Sequence, residues 1–156
     1  MHNPALWPFA LHCYVKPGIQ DTCLRLQREH GLDVCLLLCC CWLETRRVAF
    51  SAQRLESLQA RIGDWQREIT QPLRQLRMAW RAAAQRDDGL HDLRERLKAL
   101  ELDAERMALQ RLEALSHAWP AERQAETWLE HYLPTDDDTQ RLRAAAQATH
   151  SELAGF

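Results

Sequence analysis

Along most of this chain apolar residues recur at intervals of three and four, the repeat of an α-helix that presents one face to a core. One segment departs from that pattern by being apolar almost all round. Val34 to Leu43 reads Val-Cys-Leu-Leu-Leu-Cys-Cys-Cys-Trp-Leu, and a helix with no polar face has to be surrounded. Asp33 stands where it can cap the first turn. The pattern therefore predicts a buried central helix over about 33–46, with the other elements arranged around it. The run is about half of the ~20 apolar residues a membrane span needs, so it reads as a core helix.

The flanking elements follow from the same periodicity. A first helix is expected over about 5–14, with Asn3 as its cap and Pro8 tolerated in its first turn. Lys16-Pro17-Gly18 breaks the chain. A second helix runs to about His30 with Ile19, Cys23 and Leu26 inward, and Gly31 is its expected C′ residue. Ser51 caps the next helix, and Phe50 against Leu55 fits a hydrophobic staple. From Leu55 one apolar stripe continues to Ala83, with Gly63-Asp64 able to split it and Pro72 expected to kink or restart it. Asp87-Asp88-Gly89 is a turn. From Leu90 to Trp119 the apolar positions step by about 3.6, which describes a straight packed helix. Pro120 is expected to start a further helix with Trp128, Leu129 and Tyr132 inward, and Pro134-Thr135-Asp136 to cap a short last helix ending near Leu153. No repeat, low-complexity run or long linker divides the chain. The expectation is an all-α fold, a single compact bundle of six to eight helices forming one domain over residues 1–156.

Composition changes this picture in two places. Six cysteines suggest disulfides, but four of them, Cys35, Cys39, Cys40 and Cys41, share the central helix and cannot bridge one another without strain. With no secretory pattern at the N-terminus, reduced and buried thiols in a cytoplasmic protein are expected. The charge, −2 overall, is unevenly spread: −1 over residues 1–45, +6 over 46–86 and −7 over 87–156. A basic middle and an acidic end either lie against each other or leave the middle facing a polyanion.

Most chemistry-bearing patterns fail on inspection. Residues 23–40 have the turn spacing of a helix-turn-helix, but the second helix would offer base edges only Val34, Cys35 and leucines, so sequence-specific DNA is not an expected partner. Cys35 and Cys39 share a face with no second pair to complete a zinc site, and no Glu-x-x-His supports a di-iron bundle. The acids at Asp87-Asp88 and Asp136-Asp137-Asp138 are explained by helix starts. His12 and Cys13 point about 100° apart, and no phosphate loop or nucleophile elbow occurs. No catalytic residue, metal or cofactor is expected.

What survives is an arginine face. Arg67, Arg74, Arg77 and Arg81 fall at steps of seven, three and four and form one helical stripe, backed by Trp65, Ile69, Leu76 and Trp80. Such a stripe could grip phosphate or an acidic protein. It could also be a solvated face neutralised by Asp92, Glu95, Glu101 and Glu105. The leading expectation is a non-enzymatic interaction protein that docks a protein, RNA or ribosomal partner through this face. The rival is a ligand binder or enzyme with an interhelical pocket near Trp7, Trp42 and Trp65.

Several stretches carry a resemblance: Leu6-Trp7-Pro8-Phe9-Ala10-Leu11, Pro17-Gly18, His30-Gly31-Leu32-Asp33-Val34, Leu36-Leu37-Leu38-Cys39, Trp42-Leu43, Pro72-Leu73-Arg74, Glu101-Leu102 and Ala104-Glu105-Arg106. Together, over roughly residues 5–115, they resemble a small conserved-hypothetical family of gammaproteobacteria, an all-helical domain of unknown function. The resemblance implies no activity and no site. The association of that family's genes with an ABC-F-type, ribosome-associated ATPase would suit an RNA- or ribosome-linked role.

Overall fold

The structure is a computed structural model that describes residues 3–155. Over those residues it is all-helical, with 76% of them in helix and no strand. An isolated antiparallel bridge joins Val48 to Ala121. The elements are α1 (Leu6–Tyr14), α2 (Ile19–His30), α3 (Val34–Thr45), α4 (Ala52–Trp65), a π-helical turn (Gln66–Thr70), α5 (Gln71–Ala79), α6 (Arg81–Ala84), α7 (Asp88–Ser116), α8 (Leu129–Tyr132) and α9 (Asp136–Leu153).

The all-apolar segment is the axis of the fold. Asp33 accepts from Leu36 N at 3.0 Å and starts α3, and every residue from Cys35 to Leu43 is buried. α1, α7, α8 and α9 all pack against it. Its neighbours begin and end where short-range chemistry directs. Gly31 closes α2 in the left-handed region at φ 65°, a conformation that carries little penalty only for glycine. Ser51, Asp87 and Thr135 cap α4, α7 and α9 through their side chains.

Four details differ from the expectation. α1 starts at Leu6, and its first N–H donates to the Glu113 carboxylate of α7 at 3.1 Å, so a distant acid does the work expected of Asn3. Gly63-Asp64 does not split α4, which runs on to Trp65. No long helix follows Pro120. The segment between α7 and α8 is irregular, and its backbone pairs sideways, Glu122 N to Arg47 O and Phe50 N to Glu126 O. Proline removes a donor but does not oblige the chain to resume a helix. α9, finally, is 18 residues long rather than short.

The buried core draws on residues up to Ile62 and again from Ala108 onward. Between them the chain leaves the core as an arm, in which α5 and α6 pack against the N-terminal half of α7. α5 has no fully buried residue.

All six thiols are free and buried. Burial, the main cause in each case, pushes Cys13 up to about 11 and Cys23 to about 12, and raises Cys35, Cys40 and Cys41 well above the ordinary thiol value. The thiolate is the reactive form. A thiol reagent at neutral pH is therefore expected to label none of the six rapidly in the folded protein and all six in denaturant. Fast native labelling at Cys39, Cys40 and Cys41 would contradict a central α3.

Candidate ligand-binding cleft

Pro72 shapes the local structure from which the cleft is built. In α register its ring would meet the carbonyl of Glu68, four residues back, and it offers no N–H in return. The chain answers with the π turn: Gln71 N bonds Gln66 O, five residues back. Such turns widen a helix and recur at functional sites. This one carries Gln66 and Thr70, both buried. Gln66 Nε2 donates to Asp33 Oδ1 at 3.3 Å, but Gln66 Oε1 and Thr70 Oγ1 have no hydrogen-bond partner. A buried polar atom left unpaired costs about 1–3 kcal/mol.

Both residues line a cleft of about 880 Å³ between the α1–α2 hairpin and the arm. Volumes of roughly 300–1,000 Å³ are usual for small-molecule sites. Leu11, Leu24, Met78 and Leu102, all exposed, lie around it and give it apolar lips. Trp7, Tyr14, Cys35 and Tyr132 also line it. Tyr132 is held in place by Asp33, whose N–H donates to its hydroxyl at 3.2 Å and whose carbonyl accepts from it at 3.4 Å. Tyr14 is pushed up to about 12, first by burial and then by Cys23 and Glu105. Cys35 is buried, and among the described residues no histidine lines the cleft.

Charges converge on the arm side. Arg74 donates to Glu101 at 3.3 Å and to Glu105 at 3.2 Å. Arg77 takes Glu101 through two nitrogens, and its backbone carbonyl accepts from Arg94 Nε at 2.8 Å. Glu101 is buried beneath both guanidiniums. Burial, and then the neighbouring Glu101, raise the Glu105 carboxyl above its usual range.

The four arginines of the stripe therefore differ in surroundings. Arg74 and Arg77 are engaged by α7 and line the cleft. Arg67 lines it too, but its mostly exposed side chain pairs with Asp64. Arg81 is exposed and has no ion pair among the described residues. Of the acids named as neutralisers, Glu101 and Glu105 take that place, while Glu95 pairs with Lys98. Of the three tryptophans offered as pocket markers only Trp7 lines the cleft, with Arg106 stacked 5.5 Å from its ring centre. Trp42 Nε1 donates to Pro4 O and Trp65 Nε1 to Ala104 O. The first ties α3 to the segment before α1 and the second ties α4 to α7, because a buried indole N–H needs an acceptor.

Residues 5–112 match a family model described as a protein of unknown function, DUF2390. The chain belongs to the DUF2390 family. The family match takes in α1 to most of α7 and every cleft residue named above except Tyr132, and leaves α8 and α9 outside it. Neither a curated protein nor a solved structure matches the chain. Among the described residues no group of three or more His, Cys, Asp and Glu side chains could hold a metal ion, and no helix is long and apolar enough to cross a membrane.

Proposed function

We propose that this protein works by binding rather than by catalysis, receiving an amphipathic small molecule in the cleft with its polar end against Gln66 and Thr70. The observation that carries the reading is the pair of buried, unpartnered oxygens on the π turn, beside an open cleft of about 880 Å³. Gln66 Oε1 calls for a donor, and the Thr70 hydroxyl can give or take one bond. The apolar lips would hold the rest of the ligand. Among the described residues the cleft offers no histidine to act as a base, and burial raises its thiol, Cys35, well above the ordinary value. A reducing, cytoplasmic setting suits six buried thiols.

Thr70→Val combined with Gln66→Leu removes both unpaired oxygens at nearly constant volume. The double variant is expected to melt near the parent's temperature, because the cost of the unpaired atoms is removed while the Gln66–Asp33 hydrogen bond is lost with it. It is also expected to lose a small molecule that native mass spectrometry detects on the parent after incubation with a metabolite extract. A parent that retains nothing, or a variant that retains the same molecule equally well, would overturn the cleft reading.

A second reading, an adaptor docking protein or RNA through the arginine face, is favoured by Arg67 and Arg81, which reach solvent. Arg67→Gln with Arg81→Gln should change stability by no more than about 1 kcal/mol. Loss of a salt-sensitive partner from that variant in a lysate pulldown would support it, nuclease treatment separating RNA from protein. A partner retained unchanged would dismiss it.

A further inference from the structure

The face of the arm turned away from the cleft carries an apolar stripe that none of the described residues covers. Leu93, Leu100 and Met107 are 47%, 53% and 43% exposed. They sit seven residues apart on the unbroken helix α7 and so lie in one row. Leu102 is two residues beyond Leu100, about 200° around the helix, and Leu102 lines the cleft. Leu100 therefore faces the other way. The same holds across the arm, where Met78 lines the cleft and Leu76, two residues earlier, is 45% exposed. The pairing of Arg74 and Arg77 with Glu101 sets the register, which puts Leu76 level with Leu100 and Ile69 level with Met107. The result is a two-helix surface of exposed aliphatic side chains, the kind of patch that marks an interaction site.

The order of residues along this stripe says what fits it. We infer that the back of the arm binds the same surface of a second copy of this chain, the two arms crossing antiparallel about a two-fold axis at the level of Leu76 and Leu100. A two-fold interface must be self-complementary, so that if one position meets another the reverse contact also forms. About Leu100 the row satisfies that rule: Leu93 and Met107 stand seven residues to either side and would meet each other's counterparts. The charges satisfy it too. Arg96 and Asp103 flank Leu100 on the outer edge of the stripe, both exposed, and neither forms an ion pair within the chain among the described residues. Across the axis each reaches the opposite charge on the second copy, so two bridges form at once. The seven-residue spacing favours a left-handed four-helix seam. This surface is separate from the cleft, and its occupation would leave the cleft open.

Sedimentation equilibrium of the full chain, from low micromolar to near-millimolar concentration, tests the assignment. The parent is expected to pass from monomer to dimer across that range. Leu100→Glu is expected to stay monomeric with an unchanged far-UV circular dichroism spectrum, because the side chain replaced is already half in solvent. Asp103→Arg alone should weaken the dimer at least tenfold by setting like charges opposite one another, and adding Arg96→Asp should restore it. That rescue is read independently of whether the Leu100 variant folds. A parent that is monomeric throughout, or a dimer indifferent to both Leu100→Glu and the charge reversal, would overturn the inference.

Discussion

Trp128→Ala is expected to lower the unfolding free energy by about 3–5 kcal/mol, the range for deleting a buried aromatic side chain. The residue is fully buried, yet it lies in the irregular stretch before α8, so no helix holds it in place. Three contacts do. Its Nε1 donates to Val48 O at 2.8 Å, its backbone N–H donates to the Glu44 carboxylate at 3.2 Å, and Trp119 stacks on it at 6.2 Å. Phe50 meets its edge at 5.3 Å while stacking on His131. Truncation leaves a void and an unpaired Val48 carbonyl, and it frees the segment that closes the C-terminal side over α3. Chemical denaturation should show a lower midpoint at an unchanged slope. A loss below about 1 kcal/mol would mean that the surroundings collapse into the space, and that this segment is not anchored by the indole.

Leu37→Ala should cost about 2–5 kcal/mol. Leu37 is fully buried on a helix packed against α1, α7, α8 and α9. A cavity at the edge of a core can shrink when a neighbour moves in, but one on the central helix would need several elements to shift together. The same experiment on Leu100, half exposed on the arm, should move the midpoint little.

The central helix could be read from its sequence because its lack of a polar face admits few other placements, and Asp33 fixed where it starts. The caps at Ser51 and Thr135 and the long period of α7 were legible for similar local reasons. The irregular segment before α8 was not. Trp128, Leu129 and Tyr132 have helical spacing, but Trp128 is held by Val48, a pairing across 80 positions that no local pattern records. The arginine stripe shows how much a spacing can tell. Its step pattern placed Arg74 and Arg77 on one face, and the acids of α7 were identifiable as counterions. Which arginines would meet them depended on the register of the arm. The cleft left the faintest trace. Gln66 and Thr70 are ordinary polar residues in sequence, and only their closeness to Pro72 hinted that the helix must widen there. The tryptophans drew attention as pocket markers, whereas Trp42 uses its indole N–H to hold the segment before α1 and Trp65 to tie α4 to α7.

The crowding of thiols in α3 has a consequence for the lifetime of the protein outside a reducing medium. While the chain is folded, Cys39, Cys40 and Cys41 are shielded by the packing that makes them core residues. Global opening exposes all six cysteines together, and each recovers an ordinary pKa. A bond formed then between neighbours such as Cys40 and Cys41 has no counterpart in a regular helix, so α3 cannot re-form around it. Under oxidising conditions every excursion to the unfolded state thus risks becoming permanent. Survival is then governed by how often the molecule opens, and the equilibrium free energy ceases to describe it.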